Sequence, residues 1–197
     1  MPKVVDHEQR RGELAAAVWS LASREGLEAV TVRRVAEEAG WSTGALVHYF
    51  ADKEKLLRFA FRTVADRVGR RLEQAAERTS DPLELARSQL LEGLPLDRER
   101  QAEIRVWFAF LGLALTRPAL ARIQRVTYRA WRDRVTDRLL EAQERGEIRA
   151  GVDCAAEAAA LVALVDGLAI QATFEPRALT PKRQTELVDA HLDALRA

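Results

Sequence analysis

The side chains best suited to chemistry gather in one stretch of the chain. Thr31, Arg33, Arg34, Ser42, Thr43, His48, Tyr49 and Lys53 supply hydroxyls, guanidinium groups, an imidazole, a phenol and an ammonium. Donors of this kind suit phosphate oxygens and the edges of bases. Catalysis is not expected. His7, His48 and His191 are scattered, no HExxH or phosphate-cradling glycine loop occurs, and Cys154 stands alone at an alanine-rich helix start. A single cysteine also excludes an internal disulfide and a cysteine zinc site, so neither metal nor cofactor is expected.

Short helices must position these donors. Thr31 is a plausible N-cap, with Val32, Val35, Ala36 and Ala39 spaced as a helix behind it and Gly40 to end it. After the tight turn "AGWST", Ser42 caps a second short helix that carries Leu46, Tyr49 and Phe50. Two short helices around such a turn have helix-turn-helix dimensions. Helix starts expose unpaired N–H groups that favour phosphate, so Thr31, Arg33 and Arg34 are placed to grip one strand. Gly44 allows the first turn of the second helix to approach a groove. Thr43, Leu46, Val47 and His48 are then left near the bases, Tyr49 can reach a phosphate or a base edge, and Lys53 adds a cation at a helix start that attracts phosphate. The plainer alternative makes Tyr49 and Phe50 core residues and His48 a solvated one.

The rest of the chain reads as helix throughout. Apolar residues recur at three-and-four spacing and never alternate over a strand's length. Leu14, Val18, Leu21 and Ala22 mark the first helix, closed by Gly26; Asp52 caps a fourth with Leu56, Leu57, Ala60, Phe61 and Val64 on its buried side. Pro82, Pro118 and Pro181 sit at later helix starts, where a missing N–H is harmless. About nine helices are expected in an all-α protein. Residues 1–52 form a helix-turn-helix unit and 53–197 a larger bundle, with the helix 53–79 as connector.

Composition narrows the class. The 197 residues are 48% apolar and 31% charged, ordinary for a globular protein. The 31 Lys and Arg nearly balance the 30 Asp and Glu, which argues against a nonspecific nucleic-acid coat but not against reading one short site. The longest uncharged apolar run, Val106 to Thr116, is shorter than the roughly 20 residues a bilayer crossing needs. No signal-peptide core opens the chain, so a cytoplasmic protein without a membrane partner is expected.

"TVRRVAEEAGWSTGALVHYFADKEKLL", Thr31 to Leu57, resembles the amino-terminal signature of the TetR family of transcriptional regulators. The resemblance implies a DNA-binding domain on an all-α ligand-binding domain, acting as a homodimer. It places the recognition helix at Ser42 to Phe50 and phosphate contacts at Thr31, Tyr49 and Lys53. Val47 stands where many members carry Tyr, and Trp41 is larger than usual; "STGALVHYF" is closer to the BetI-like branch.

For the bundle, an effector cavity is expected among Leu85, Gln89, Ile104, Trp107, Phe108, Phe110, Leu111, Tyr128, Trp131, Asp166 and Ile170. Each of these aromatics could equally be core, and Asp166 could be structural rather than the answer to a cation. The dimer face is expected on the apolar stripes Leu161, Leu164, Val165, Leu168 and Ala172, and Leu187, Val188, His191, Leu192 and Leu195. Twofold pairing there would present two recognition helices to a palindromic operator in double-stranded DNA. The competing reading is a helical scaffold or adaptor that does not bind DNA.

Overall fold

Where the sequence offers a capping oxygen, a helix begins. Thr31, Ser42, Asp81, Asp97, Asp153 and Thr180 each accept a backbone N–H from the first turn that follows. In the computed structural model, which describes residues 7–26, 29–50 and 53–197, the elements are all helical. They are α1 His7–Glu25, α2 Val32–Ala39, α3 Thr43–Tyr49, α4 Lys53–Arg78, α5 Pro82–Leu91, α6 Arg98–Ala114, α7 Pro118–Glu144, α8 Cys154–Phe174 and α9 Pro181–Asp193. The one extended pairing among the described residues is an isolated bridge between Ile148 and Arg196. Asp52, the expected cap of α4, lies outside them.

The turn between α2 and α3 is set by Gly40, at φ +70°, where a side chain would be strained. There the Trp41 N–H reaches the Ala36 carbonyl at 2.8 Å and closes the end of α2. Val35, Ala36, Leu46 and Phe50 then join Leu14, Val18 and Leu21 of α1 in a front core. Leu56, Ala60 and Val64 of α4 complete that core, and so does Val106 from α6. The Val, Leu and Phe side chains among them each contribute about 1.5–3 kcal/mol by leaving water.

Helix α4 serves two cores. On its other side Phe61 stacks on Phe110, with ring centroids 4.1 Å apart, and on Trp107 at 5.4 Å. The largest core lies further back, where α5, α7, α8 and α9 close around Leu90, Leu94, Leu139, Leu161, Val165 and Val188. By length and composition alone α8 could cross a bilayer. Instead its Leu161, Val162, Val165 and Leu168 pack inside the protomer, the pattern of a core helix.

Candidate nucleic-acid interface and ligand cavity

The outer face of α3 is built from small and apolar residues. Ser42, Thr43, Gly44 and Ala45 are all exposed, and Val47 is 50% exposed. The Ser42 hydroxyl accepts the Ala45 N–H at 3.2 Å, and the Thr31 hydroxyl accepts the Arg34 N–H at 3.2 Å. A hydroxyl that accepts in this way still has its own O–H to donate. Tyr49 is exposed and meets Trp41 edge-on, with centroids 5.5 Å apart. Trp41 in turn receives Arg10 of α1 on its ring at 5.6 Å. The bulky Trp41 thus holds the Tyr49 ring beside the end of α3.

One expected contact needs correction. Leu46 is 0% exposed and belongs to the front core, because the helix turns it inward between Val35 and Phe50; it cannot touch a base. The Arg34 guanidinium meets both carboxylate oxygens of Glu25 at 2.9 Å, in an ion pair that stays partly exposed. Arg33 remains largely in solvent and, among the described residues, pairs only with Glu37 one turn on, a contact worth a few tenths of a kcal/mol. The side chains of His48 and Lys53 lie outside the described ones. Ala45, exposed beside Gly44 in the first turn of α3, was not among the expected contacts.

A second site opens behind α4. A cavity of about 520 Å³ is walled by α4, the end of α5, α6, α7 and α8. Of the expected residues, Gln89, Ile104, Trp107, Phe108, Trp131 and Asp166 line it. Tyr128 does not, but its hydroxyl donates to Asp166 Oδ2 at 2.6 Å. Burial raises the Asp166 carboxyl pKa, against the Tyr128 hydrogen bond that lowers it. The Tyr128 phenol is raised as well, by burial first and then by that contact.

The remaining expectations fall elsewhere. Phe110 is wholly buried in the stack with Phe61, and Leu85 is buried away from the cavity. Leu111 is half-buried outside the cavity wall, and Ile170 points to solvent from α8. The wall contributed by α4 went unforeseen: Phe61, Val64, Ala65, Val68, Gly69 and Leu72. Their continued three-and-four spacing beyond the front core was the signal, masked by the charged residues between them.

Next to the cavity, ion pairs tie α4 to the bundle. Arg71 of α4 donates to both oxygens of Glu103 and, at 2.6 Å, to Glu92. Arg100 also reaches Glu92. Although burial pulls the Arg71 pKa down, its hydrogen bonds to Glu103 and Glu92 raise it above the ordinary value, so its charge is kept. One turn earlier, Arg67 pairs with Glu99 of α6 and lies over the Trp19 ring of α1 at 4.4 Å.

The expected dimer stripes are also displaced. Leu161, Val165, Leu168, Ala172, Val188, Leu192 and Leu195 are buried within one protomer, because α8 and α9 use those faces to pack on α7, α5 and each other. Side chains sealed there cannot line a surface between copies. Leu164, Leu187 and His191 stay half-buried, and His191 contacts Glu157 at 2.9 Å. The open face of α8 carries Ala156, Ala159, Ala160, Ala163, Ile170 and Phe174.

A helix-turn-helix joined by one continuous helix to an aromatic-walled cavity defines a DNA-binding transcriptional regulator. The chain belongs to the TetR family. Residues 14–59 match the model of bacterial regulatory proteins of the tetR family, and residues 82–197 match that of the BetI-type transcriptional repressor C-terminal region. It is 34% identical to the HTH-type transcriptional regulator PksA of Bacillus subtilis, over 99% of this chain and 94% of PksA. A transcriptional regulator from Rhodococcus sp. Rha1 superimposes with a TM-score of 0.80 at 35% identity, covering 94% of this chain and 95% of that one. A regulator from Saccharomonospora viridis, solved in complex with choline, has the same fold at 20% identity, with a TM-score of 0.81 over 94% of this chain and 96% of its own.

Proposed function

We propose that the protein is a cytoplasmic homodimeric repressor, released from a palindromic operator when a small molecule enters the cavity behind α4. Residues 1–52 read DNA and residues 53–197 bind effector and partner, with α4 between them. The observation that carries this reading is the double use of α4. Its Leu56 and Ala60 belong to the front core, and its Phe61, Ala65, Val68 and Leu72 wall the cavity. A guest that pushes on α4 therefore moves the unit that carries α3, and binding favours release only if the guest prefers the DNA-free state.

Thr43, Ala45 and Val47 meet the bases, while Thr31, Arg33, Ser42, Tyr49 and Lys53 hold the phosphates. Twofold pairing uses the open face of α8, with Ile170 and Phe174 at one end. It sets the two α3 helices about 34 Å apart, one turn of DNA. The choline of the S. viridis regulator belongs to a protein too distant to assign the effector here. A gel shift on the DNA flanking the protein's own gene tests the reading, with Tyr49→Phe and Lys53→Ala as controls. Loss of the shift in either control supports the assigned contacts; a shift indifferent to both counts against them.

A further inference from the structure

Three carboxylates face the cavity, and two of them already have cations. Glu92 is met by Arg71 and Arg100, and Glu103 by Arg71. Asp166 is different: its Oδ2 accepts the Tyr128 hydroxyl, and no basic side chain among the described residues forms an ion pair with it. Arg134, the basic residue of the wall, is exposed to solvent. A carboxylate offers about four lone-pair sites, and Tyr128 fills one. The surroundings are apolar, with Trp107, Trp131 and Phe108 on neighbouring walls. There an unanswered charge is costly, and hydrogen bonds to it are stronger than in water.

From this we infer that the cavity takes a protonated amine bearing at least one N–H and an apolar body. The N–H donates to Asp166, and the body lies against Trp107, Trp131 and Phe108. This rests on reading the cavity as the effector site and names the chemistry of the guest. A quaternary ammonium would balance the charge but leave the carboxylate oxygens without a donor, so it is the poorer guest. A volume of about 520 Å³ accommodates a small aromatic amine.

The test is calorimetric titration of the full chain at neutral pH with three probes of one shape. They are protonated N,N-dimethylbenzylamine, benzyltrimethylammonium, and isobutylbenzene as the neutral counterpart. The tertiary amine should bind about tenfold or more tightly than either of the others. Asp166→Asn should abolish that preference, and Tyr128→Phe, which leaves Asp166 in place, should keep it. Equal binding of all three probes, a quaternary ion as tight as the tertiary amine, or a preference that survives Asp166→Asn would overturn the inference. Should the Asn variant not fold, the selectivity of the unmodified protein decides alone. A gel shift on the same preparation separates the two readings. DNA binding without amine preference sinks only the inference, whereas amine preference without DNA binding sinks only the proposed function.

Discussion

The indole of Trp131 lies against the backbone of Gly93, so close that a Cβ there would stand 2.7 Å from Trp131 Cη2 and 2.6 Å from Val165 Cγ1. Gly93 closes the end of α5 and shares the cavity wall with Trp131. Its lack of a side chain is what seats the ring. Gly93→Ala should therefore cost about 1–3 kcal/mol by overpacking. Because the shift is forced on a wall residue, tryptophan emission should change along with the urea midpoint. A variant with unchanged emission and midpoint would mean that the wall yields without strain.

Arg71 anchors the connector helix to two nearly buried carboxylates. Arg71→Met should destabilise the fold by about 3–5 kcal/mol, since Glu92 and Glu103 lose a buried partner. Pairing it with Glu103→Gln should recover much of the loss. Denaturant melts of the two singles and the double form the cycle that checks this. Simple additivity would contradict the assigned coupling.

How much of this was legible beforehand differs from element to element. Caps and prolines marked the starts of α2, α3, α5, α7 and α9, because those signals are local. Which face of a helix is buried is not local. The apolar stripes of α8 and α9 look the same whether they face a neighbouring helix or a second protomer, and the structure uses them inside the protomer, α8 on α7 and α9 on α5 and α8. Leu46 illustrates the same difficulty on α3, where one residue of rotation separates the core from the exposed Val47. The α4 wall was missed because Arg70, Arg71 and Glu73 interrupt its apolar residues in sequence but not in space.

Leu46 and Val47 are neighbours with opposite expected behaviour. Leu46→Ala should cost about 2–5 kcal/mol of stability, as for any buried leucine. Val47→Ala should leave the melting temperature nearly unchanged and alter discrimination among operator variants. Thermal melts and binding to a panel of single-base operator variants would check both. A Val47→Ala protein with unaltered discrimination would remove that side chain from the base contacts.

Asp166 makes a pH prediction. Its folded-state pKa is raised above the ordinary 3.8 by burial, so the folded protein holds this proton more firmly than the unfolded chain. Its contribution to stability is present below 3.8 and is lost as pH rises through the folded value. Asp166→Asn should flatten that part of the stability–pH curve, read from urea midpoints at a series of pH values. A steeper curve in the variant would have the wrong sign.

The open face of α8 can be tested by charge. Ala160→Arg or Ala163→Arg should leave the helix content intact and yield monomers in sedimentation, with DNA affinity reduced. A dimer that persists in both variants would place the interface elsewhere.

The central claim is that α3 reads DNA twice, once from each protomer. Anisotropy titration of labelled duplexes from the protein's own upstream DNA, repeated across salt concentrations, tests it most directly. The expected result is two protomers per duplex, affinity that falls steeply with salt, and loss of sequence preference in Thr43→Ala. Absence of binding to every such duplex at low salt, or binding by one protomer with no dependence on α3, would contradict it.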